Sequence, residues 1–332
     1  MSYITMTFNQ VVSLATDCLM ANGANSDNAE AVARTIAKAE RDGSSSHGFF
    51  RLPGYVASLK SGKVNGSAKP TVSTLSSAVI RIDGDNGYAP LALETGIPDL
   101  IAQAHKSGIG VGALVNVYHF AALWPEVESL ADVGMVGFAC TAFKPSVAPA
   151  GATSPLFGTN PMAFSWPRKN NRPMVFDMAT AAMARGEIQI AARDGHVLPE
   201  GVGLDSNGNP TTDPKAVLDG VMLPFGGYKG SNLAMMVELL VAALIGESFS
   251  FEAKENDNND GGPPRGGEFL LAIDPRRLGA DDSNAHAEVF FERYLALSGT
   301  RMPGDRRYAN RDAAENGIDV PQSTIDKIHN LM

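Results

Sequence analysis

The hydrophobic period of this chain changes near Ile109, and that change bounds the folds open to it. Before it, apolar residues recur at helical spacing. Phe8, Val11, Val12, Leu14, Ala15 and Leu19 share one face, which ends at Gly23. A second helix runs through Ala31, Val32, Ile36 and Ala39, with Asp27 and Glu30 as a capping box, and stops at Asp42-Gly43-Ser44-Ser45-Ser46. A polar region over 60–70 leads to a strand at 78–82, a turn at Asp83-Gly84-Asp85-Asn86-Gly87 and a helix over 90–106. Beyond Ile109, short apolar runs at 110–117, 135–141, 162–166 and 174–176 are separated by Gly, Pro and Ser turns or by a helix at 126–133. The expected core is therefore α/β in the mixed α+β sense. Another helix opens at Tyr228-Lys229-Gly230. The Gly- and Pro-rich 253–267 reads as a surface excursion of little core value, 269–273 as a strand, 287–297 as a helix and 300–308 as a basic loop.

Composition removes several function classes. A chain of 332 residues can bury two lobes. Its 27 Lys+Arg against 36 Asp+Glu give a net charge of −9, a poor surface for nucleic acid. Cys18 and Cys140 are far apart and form no CxxC, so neither a disulfide scaffold nor a cysteine zinc site is expected. Met1-Ser2-Tyr3-Ile4-Thr5 shows no basic region before an apolar run. The most apolar stretch, 233–245, carries Glu238 and is shorter than the ~20 residues of a membrane span, so it reads as a buried helix. A cytoplasmic protein with no membrane partner is the expectation.

The usual dinucleotide and metal signatures are missing. Gly108-Ile109-Gly110-Val111-Gly112 has the wrong spacing for the Rossmann fingerprint, and Lys229-Gly230-Ser231 reverses the order of a P-loop. There is no HExxH, no GxSxG and no metal-like cluster among the six histidines, so no metal is expected. Weaker candidates remain. Ser46-His47-Gly48 with Arg51 could pair a proton donor with a carboxylate clamp, or be a surface loop with a solvated arginine. His119-Phe120-Ala121-Ala122-Leu123-Trp124 could line a pocket or pack in the core. Asp177-Met178-Ala179 ends a strand, where α/β sheets hold ligands. Glu187, after Arg185-Gly186, could orient a histidine or meet a cationic substrate, or be an exposed helix carboxylate. Tyr228 and Lys229 open a helix that favours anions. Arg301, Arg306 and Arg307 around Pro303-Gly304-Asp305 suggest phosphate contact or a solvated loop.

The order of these blocks is more informative than any one of them. Ser46-His47-Gly48-Phe49-Phe50-Arg51-Leu52-Pro53-Gly54-Tyr55, His119-Phe120, Phe157-Gly158-Thr159-Asn160-Pro161, Phe176-Asp177-Met178-Ala179-Thr180, Gly227-Tyr228-Lys229-Gly230 and Arg301-Met302-Pro303-Gly304-Asp305-Arg306 follow one another along the chain. Across its whole length the chain resembles the malate/L-lactate dehydrogenase-like family of NAD(P)H-dependent oxidoreductases, a group distinct from the Rossmann lactate dehydrogenases. Within it, His119–Pro125, Ile188–Arg193, Leu198-Pro199-Glu200-Gly201 and Pro210–Ala216 resemble the Δ1-piperideine-2-carboxylate/Δ1-pyrroline-2-carboxylate reductases.

The resemblance implies a non-Rossmann fold, with a mixed-sheet cofactor domain (116–299) and a substrate and dimerisation lobe built from both chain ends (1–115 with 300–332). It implies a homodimer, NADPH as cofactor with NADH as a weaker second, and a small cyclic imino acid as substrate. Ser46, His47 and Glu187 would form the proton relay, with His47 as donor. Arg51 would grip the substrate carboxylate, helped by Thr159 and the backbone at Arg185-Gly186. Cofactor contacts would come from His119, Phe120, Ala121, Ala122 and Leu123, from Asp177, Met178 and Ala179, from Tyr228 and Lys229, and from Pro303, Gly304, Asp305, Arg306 and Arg307.

In hydroxyacid members the position of Glu187 is commonly lysine, and in the imine reductases aspartate. Here the acid is kept on an arm one methylene longer. An acid beside the ring nitrogen stabilises an iminium, whereas a lysine at a few ångströms would repel it by roughly 1–4 kcal/mol. The expected activity is reduction of Δ1-pyrroline-2-carboxylate to L-proline and of Δ1-piperideine-2-carboxylate to L-pipecolate. The competing readings are a malate, lactate, ureidoglycolate or diketo-sugar-acid dehydrogenase of the same fold, and a catalytically silent binding protein.

Overall fold

The structure is a computed structural model that describes every residue except Met1, Ala121 and Asp281. Strand β1 (Tyr3–Met6) leads into α1 (Phe8–Ala21), whose cap Thr7 exchanges hydrogen bonds with Gln10, Thr7 Oγ1 accepting from Gln10 N at 3.2 Å and Gln10 Oε1 from Thr7 N at 2.8 Å. Helix α2 (Ser26–Arg41) is capped by Asn25, whose side chain accepts from Asn28 N at 3.0 Å. This corrects the expected Asp27–Glu30 capping box: Asp27 lies inside the first turn, where its charge meets the helix dipole. Helix α3 (Leu52–Lys60) follows two short 3-10 turns.

Next come β2 (Thr71–Ser76), β3 (Val79–Tyr88), α4 (Ala89–Ser107) and β4 (Ile109–Tyr118). The expected turn at 83–87 is a bulge inside β3, where Asp85 and Asn86 adopt φ of 52° and 54° and the pairing with β4 slips. Strand β2 is missing from the sequence expectation because it is almost wholly exposed and lacks an apolar face. Then follow α5 (Trp124–Asp132), β5 (Val136–Thr141), β6 (Met162–Trp166), β7 (Met174–Met178) and α6 (Arg185–Asp194). A small three-stranded sheet of β8 (Gly203–Leu204), β9 (Pro210–Thr211) and β10 (Val221–Met222) surrounds α7 (Pro214–Asp219). The chain ends with α8 (Tyr228–Glu238), α9 (Ser250–Glu255), β11 (Arg265–Ile273), α10 (Ser283–Leu295), α11 (Asp305–Ala313), β12 (Ile318–Pro321) and α12 (Gln322–His329).

Seven strands form one mixed sheet in the order β2-β3-β4-β11-β5-β6-β7, with β3 and β4 parallel across α4 and the other neighbours antiparallel. β1 pairs with β12, so the two chain ends meet. One core joins Val11, Val32, Ile36 and Phe49 to Ile318, Val320, Ile325 and Ile328 of the C-terminal segment. A second core fills the face of the sheet under α4 and α5, with Ile82, Leu100, Leu114, Leu130 and Leu270 fully buried.

Three further expectations change. The 233–245 stretch is only half buried: Val237, Val241 and Ile245 pack on Phe269 and Cys140, while Met235, Leu239 and Leu244 face outward. The basic loop over 300–308 ends at Gly304, because α11 starts at Asp305. The 253–267 segment is tied down, with Lys63 Nζ 3.1 Å from Asp257 and 2.6 Å from Asp260, and Lys144 Nζ 2.6 Å from Asp257. No described helix is long and apolar enough to cross a membrane.

Candidate active site

A cleft of about 730 Å3 opens where the loop after α2, the end of β7, the start of α6, the 254–262 segment and the loop before α11 converge. Gly43 turns the chain at φ 74°, and the 3-10 turns at Ser45–His47 and Phe49–Arg51 set Ser46, His47 and Arg51 on the cleft wall. Glu40 holds this loop from α2, accepting from Phe49 N at 2.7 Å; a Cβ on Gly48 would overlap the same carboxylate.

Ser46 Oγ lies 3.1 Å from His47 Nδ1. Burial, then the charge of Arg51, pushes the His47 pKa down to about 3, so the ring is neutral near pH 7. The Arg51 guanidinium lies against the rings of Phe50 (5.3 Å) and Phe120 (4.9 Å), and its Nε is buried without a hydrogen-bond partner among the described residues. Burial lowers the pKa of Arg51, and the charge of Arg185 lowers it further. Helix α6 starts directly against this loop: a Cβ on Gly186 would stand 2.9 Å from Ser46 Cβ and 3.3 Å from Arg51 Nη2. Glu187 lines the same cleft and is exposed; among the described residues it hydrogen-bonds neither Ser46 nor His47.

Asp177, at the end of β7, accepts from Leu123 N at 2.9 Å and Trp124 N at 3.0 Å, which pins the start of α5. Burial raises its pKa to about 6, against the charge of Arg307 and those two amides. Met178 and Ala179 line the cleft beside it. Thr159 lines it too; its carbonyl accepts from Thr180 N at 2.9 Å, and the neighbouring Asn160 donates to the buried Glu238 at 2.8 Å. Glu238, odd in an apolar stretch, thus holds a cleft loop.

Of the predicted cofactor residues, Phe120, Pro303, Gly304, Arg306 and Arg307 line the cleft. Pro303 O accepts from Val175 N at 3.2 Å, docking the loop on β7. Arg307 lies over the Trp124 ring at 5.2 Å with Nη1 buried and unpartnered among the described residues, an atom suited to an anionic group such as a dinucleotide phosphate. Asp305 is turned to its own loop, accepting from Met302 N at 3.0 Å. Ala122 and Leu123 pack in the sheet core. His119 is buried with Nε2 3.6 Å from Glu268 Oε2. Tyr228 and Lys229 stand exposed at the start of α8 and are not among the residues that line the cleft. Ala121 lies outside the described residues. The cleft also takes in Trp124, from the run that the sequence offered as a pocket lining, and Asp42, Lys144, Lys254, Asn259, Gly261 and Gly262, which the sequence did not mark as site residues.

A cleft of dinucleotide size, rimmed by arginines and carrying a histidine and a free guanidinium, defines a small-molecule enzyme built outside the doubly wound fold. A family profile described as malate/L-lactate dehydrogenase matches residues 6–329, and the chain belongs to that family, which implies a nicotinamide cofactor. It is 45% identical to the Δ1-pyrroline-2-carboxylate reductase of Ancylobacter novellus over 332 residues, covering 99% of this chain and 97% of that one. It is 44% identical to the Δ1-pyrroline-2-carboxylate/Δ1-piperideine-2-carboxylate reductase of Pseudomonas putida, covering 99% and 97%. The crystal structure of Δ1-piperideine-2-carboxylate reductase from Pseudomonas syringae superposes with a TM-score of 0.94 at 42% identity, covering 99% of this chain and all of that one.

Proposed function

We propose that this chain catalyses NADPH-dependent reduction of the cyclic imines Δ1-pyrroline-2-carboxylate, to L-proline, and Δ1-piperideine-2-carboxylate, to L-pipecolate. The observation that carries the reading is the Arg51 guanidinium: buried, without an ion-pair partner among the described residues, and in one cleft with a histidine and an acidic Glu187. Relatives at 44–45% identity that bear those substrates in their names support it.

Arg51 holds the ring by its carboxylate and so orients C2, and positioning of this kind supplies much of the rate. The bound cofactor supplies the hydride that reaches C2. A protonated ring nitrogen makes C2 electrophilic, and the negative charge of Glu187 favours that form. His47, held neutral, adds no second cation beside the iminium. Glu187 is exposed and so meets solvent protons, and Ser46 and His47 pass the proton that the nitrogen needs as the double bond is reduced. Arg301, Arg306 and Arg307 on the cleft support NADPH over NADH, since the extra phosphate brings charge that guanidinium groups match. A homodimer belongs to the same reading, supported by the outward apolar side chains Met235, Leu239 and Leu244.

The test is NADPH oxidation by the purified protein with each imine and with a panel of 2-oxoacids. Both imines are expected to be reduced, with Arg51→Ala raising KM roughly ten- to hundredfold through loss of a charge-assisted pair. Silence with both rings would reject the assignment, and a preference for pyruvate or oxaloacetate would move it to the hydroxyacid dehydrogenases.

A further inference from the structure

The cleft presents two guanidinium groups that no carboxylate pairs among the described residues, one more than a one-carboxylate substrate can match. Arg51 and Arg185 both line it, and a Cβ on Gly186, the residue after Arg185, would stand 3.3 Å from Arg51 Nη2. Among the described residues no carboxylate lies within ion-pair distance of either guanidinium: Asp42 is taken up by Arg41 and Arg311, Glu40 by Phe49 N and Asp177 by the amides of Leu123 and Trp124, while Glu187 stands exposed on the cleft wall without pairing with either arginine. Both guanidinium groups are substantially buried, and burial disfavours the charged form of each. A desolvated cation with no counter-ion is costly, and an arriving anion recovers that cost.

The imino acid of the proposed reaction, on which this inference rests, carries one carboxylate and, when protonated, one positive nitrogen. Its carboxylate satisfies Arg51 and leaves the second guanidinium unmatched. The phosphates of a dinucleotide have their own candidates in Arg301, Arg306 and Arg307, on a different segment of the cleft.

We propose that the cleft also takes cyclic imino acids bearing a second carboxylate, with Arg185 as the residue that grips it. In a six-membered ring with carboxylates on both carbons flanking the nitrogen, one group meets Arg51 and the other Arg185, and the nitrogen lies between them. The chemistry is unchanged. Hydride adds to the imine carbon, the carbon–nitrogen π bond breaks, the nitrogen takes one proton, NADPH is oxidised to NADP, and the second carboxylate is a spectator. Arg185 is thus a specificity residue that distinguishes dicarboxylates from monocarboxylates.

The experiment compares kcat/KM for Δ1-piperideine-2,6-dicarboxylate with that for Δ1-piperideine-2-carboxylate, both with NADPH, in the natural protein, Arg185→Gln and Arg185→Lys. The natural protein should reduce both. Arg185→Gln should lower the dicarboxylate-to-monocarboxylate ratio at least tenfold, while Arg185→Lys, which keeps the charge, should restore most of it and show that the position tolerates substitution. Reduction of the monocarboxylate without the dicarboxylate would overturn the inference and leave the imine reductase reading intact. A ratio unchanged in Arg185→Gln would overturn it as well, since Arg185 would then serve the shared carboxylate or the cofactor. If neither ring is reduced, both readings fall together.

Discussion

His47 shows how far a residue's surroundings can move its chemistry. As a sequence feature it is a group that titrates near neutral pH; in the fold its pKa is held near 3 by burial and by Arg51. The folded value lies below the unfolded one, so between about pH 6.5 and 3 the unfolded chain binds a proton that the folded chain does not. The stability that results is complete above about pH 6.5 and is lost as pH falls towards 3, at up to about 1.4 kcal/mol per pH unit for one group. His47→Gln should therefore lose stability less steeply than the natural protein between pH 6.5 and 4 in urea unfolding. Parallel slopes would show that the ring is already protonated in the fold. His47 and Arg51 were legible as a candidate proton donor and carboxylate clamp because they stand in one short motif. That Arg185 also goes unpaired was not legible, because it depends on which acids fail to arrive.

At the scale of elements, the helices and most strands followed from local period, and the differences have local causes. Asn25 caps α2 in place of the expected Asp27–Glu30 box because it holds the extended backbone (φ −76°, ψ 168°) that a cap requires. The 253–267 segment differs for a non-local reason. Its Gly and Pro content reads as a surface excursion, yet Asp257 and Asp260 are nearly buried against Lys63, almost two hundred residues away in the chain. Those pairs hold Lys254, Asn259, Gly261 and Gly262 on the cleft. Lys63→Met leaves Asp260 without its cation and Asp257 with Lys144 alone, and should cost roughly 3 kcal/mol. Hydrogen exchange should rise over 254–262 in particular. A variant with natural protection there would mean that the backbone, not the ion pairs, keeps the segment in place.

Across the whole molecule, one buried cluster joins the parts that form the cleft. Asp42, 2% exposed at the end of α2, accepts from Arg311 of α11 at 2.6 Å and from Trp124 Nε1 of α5 at 3.2 Å, and Arg311 also reaches Glu128 at 2.7 Å. The loop of Ser46 and His47, the indole of the cleft and the helix whose first turn carries Arg306 and Arg307 thus share one anchor. Arg311→Ala leaves Asp42 buried beside Arg41 alone and should destabilise the fold by about 3–5 kcal/mol. It should also weaken NADPH binding, read from Trp124 fluorescence, because α11 loses its tie to α2. Destabilisation with unchanged NADPH affinity would show that the loop before α11 is placed by β7 and not by this cluster.

The sequence by itself determined the sites and types of most elements, the mixed α/β class, the ordered motif blocks and the presence of Ser46, His47, Arg51 and Glu187. Each of these is written in a residue's near neighbours, through periods of 3.6 or 2 and through short spacings. Tertiary structure alone decided that His47 is neutral, that Arg51 and Arg185 line the cleft without an ion-pair partner among the described residues, and that Glu187 is exposed. Desolvation and charge pairing depend on residues tens to hundreds of positions apart, and no local pattern encodes which of them meet.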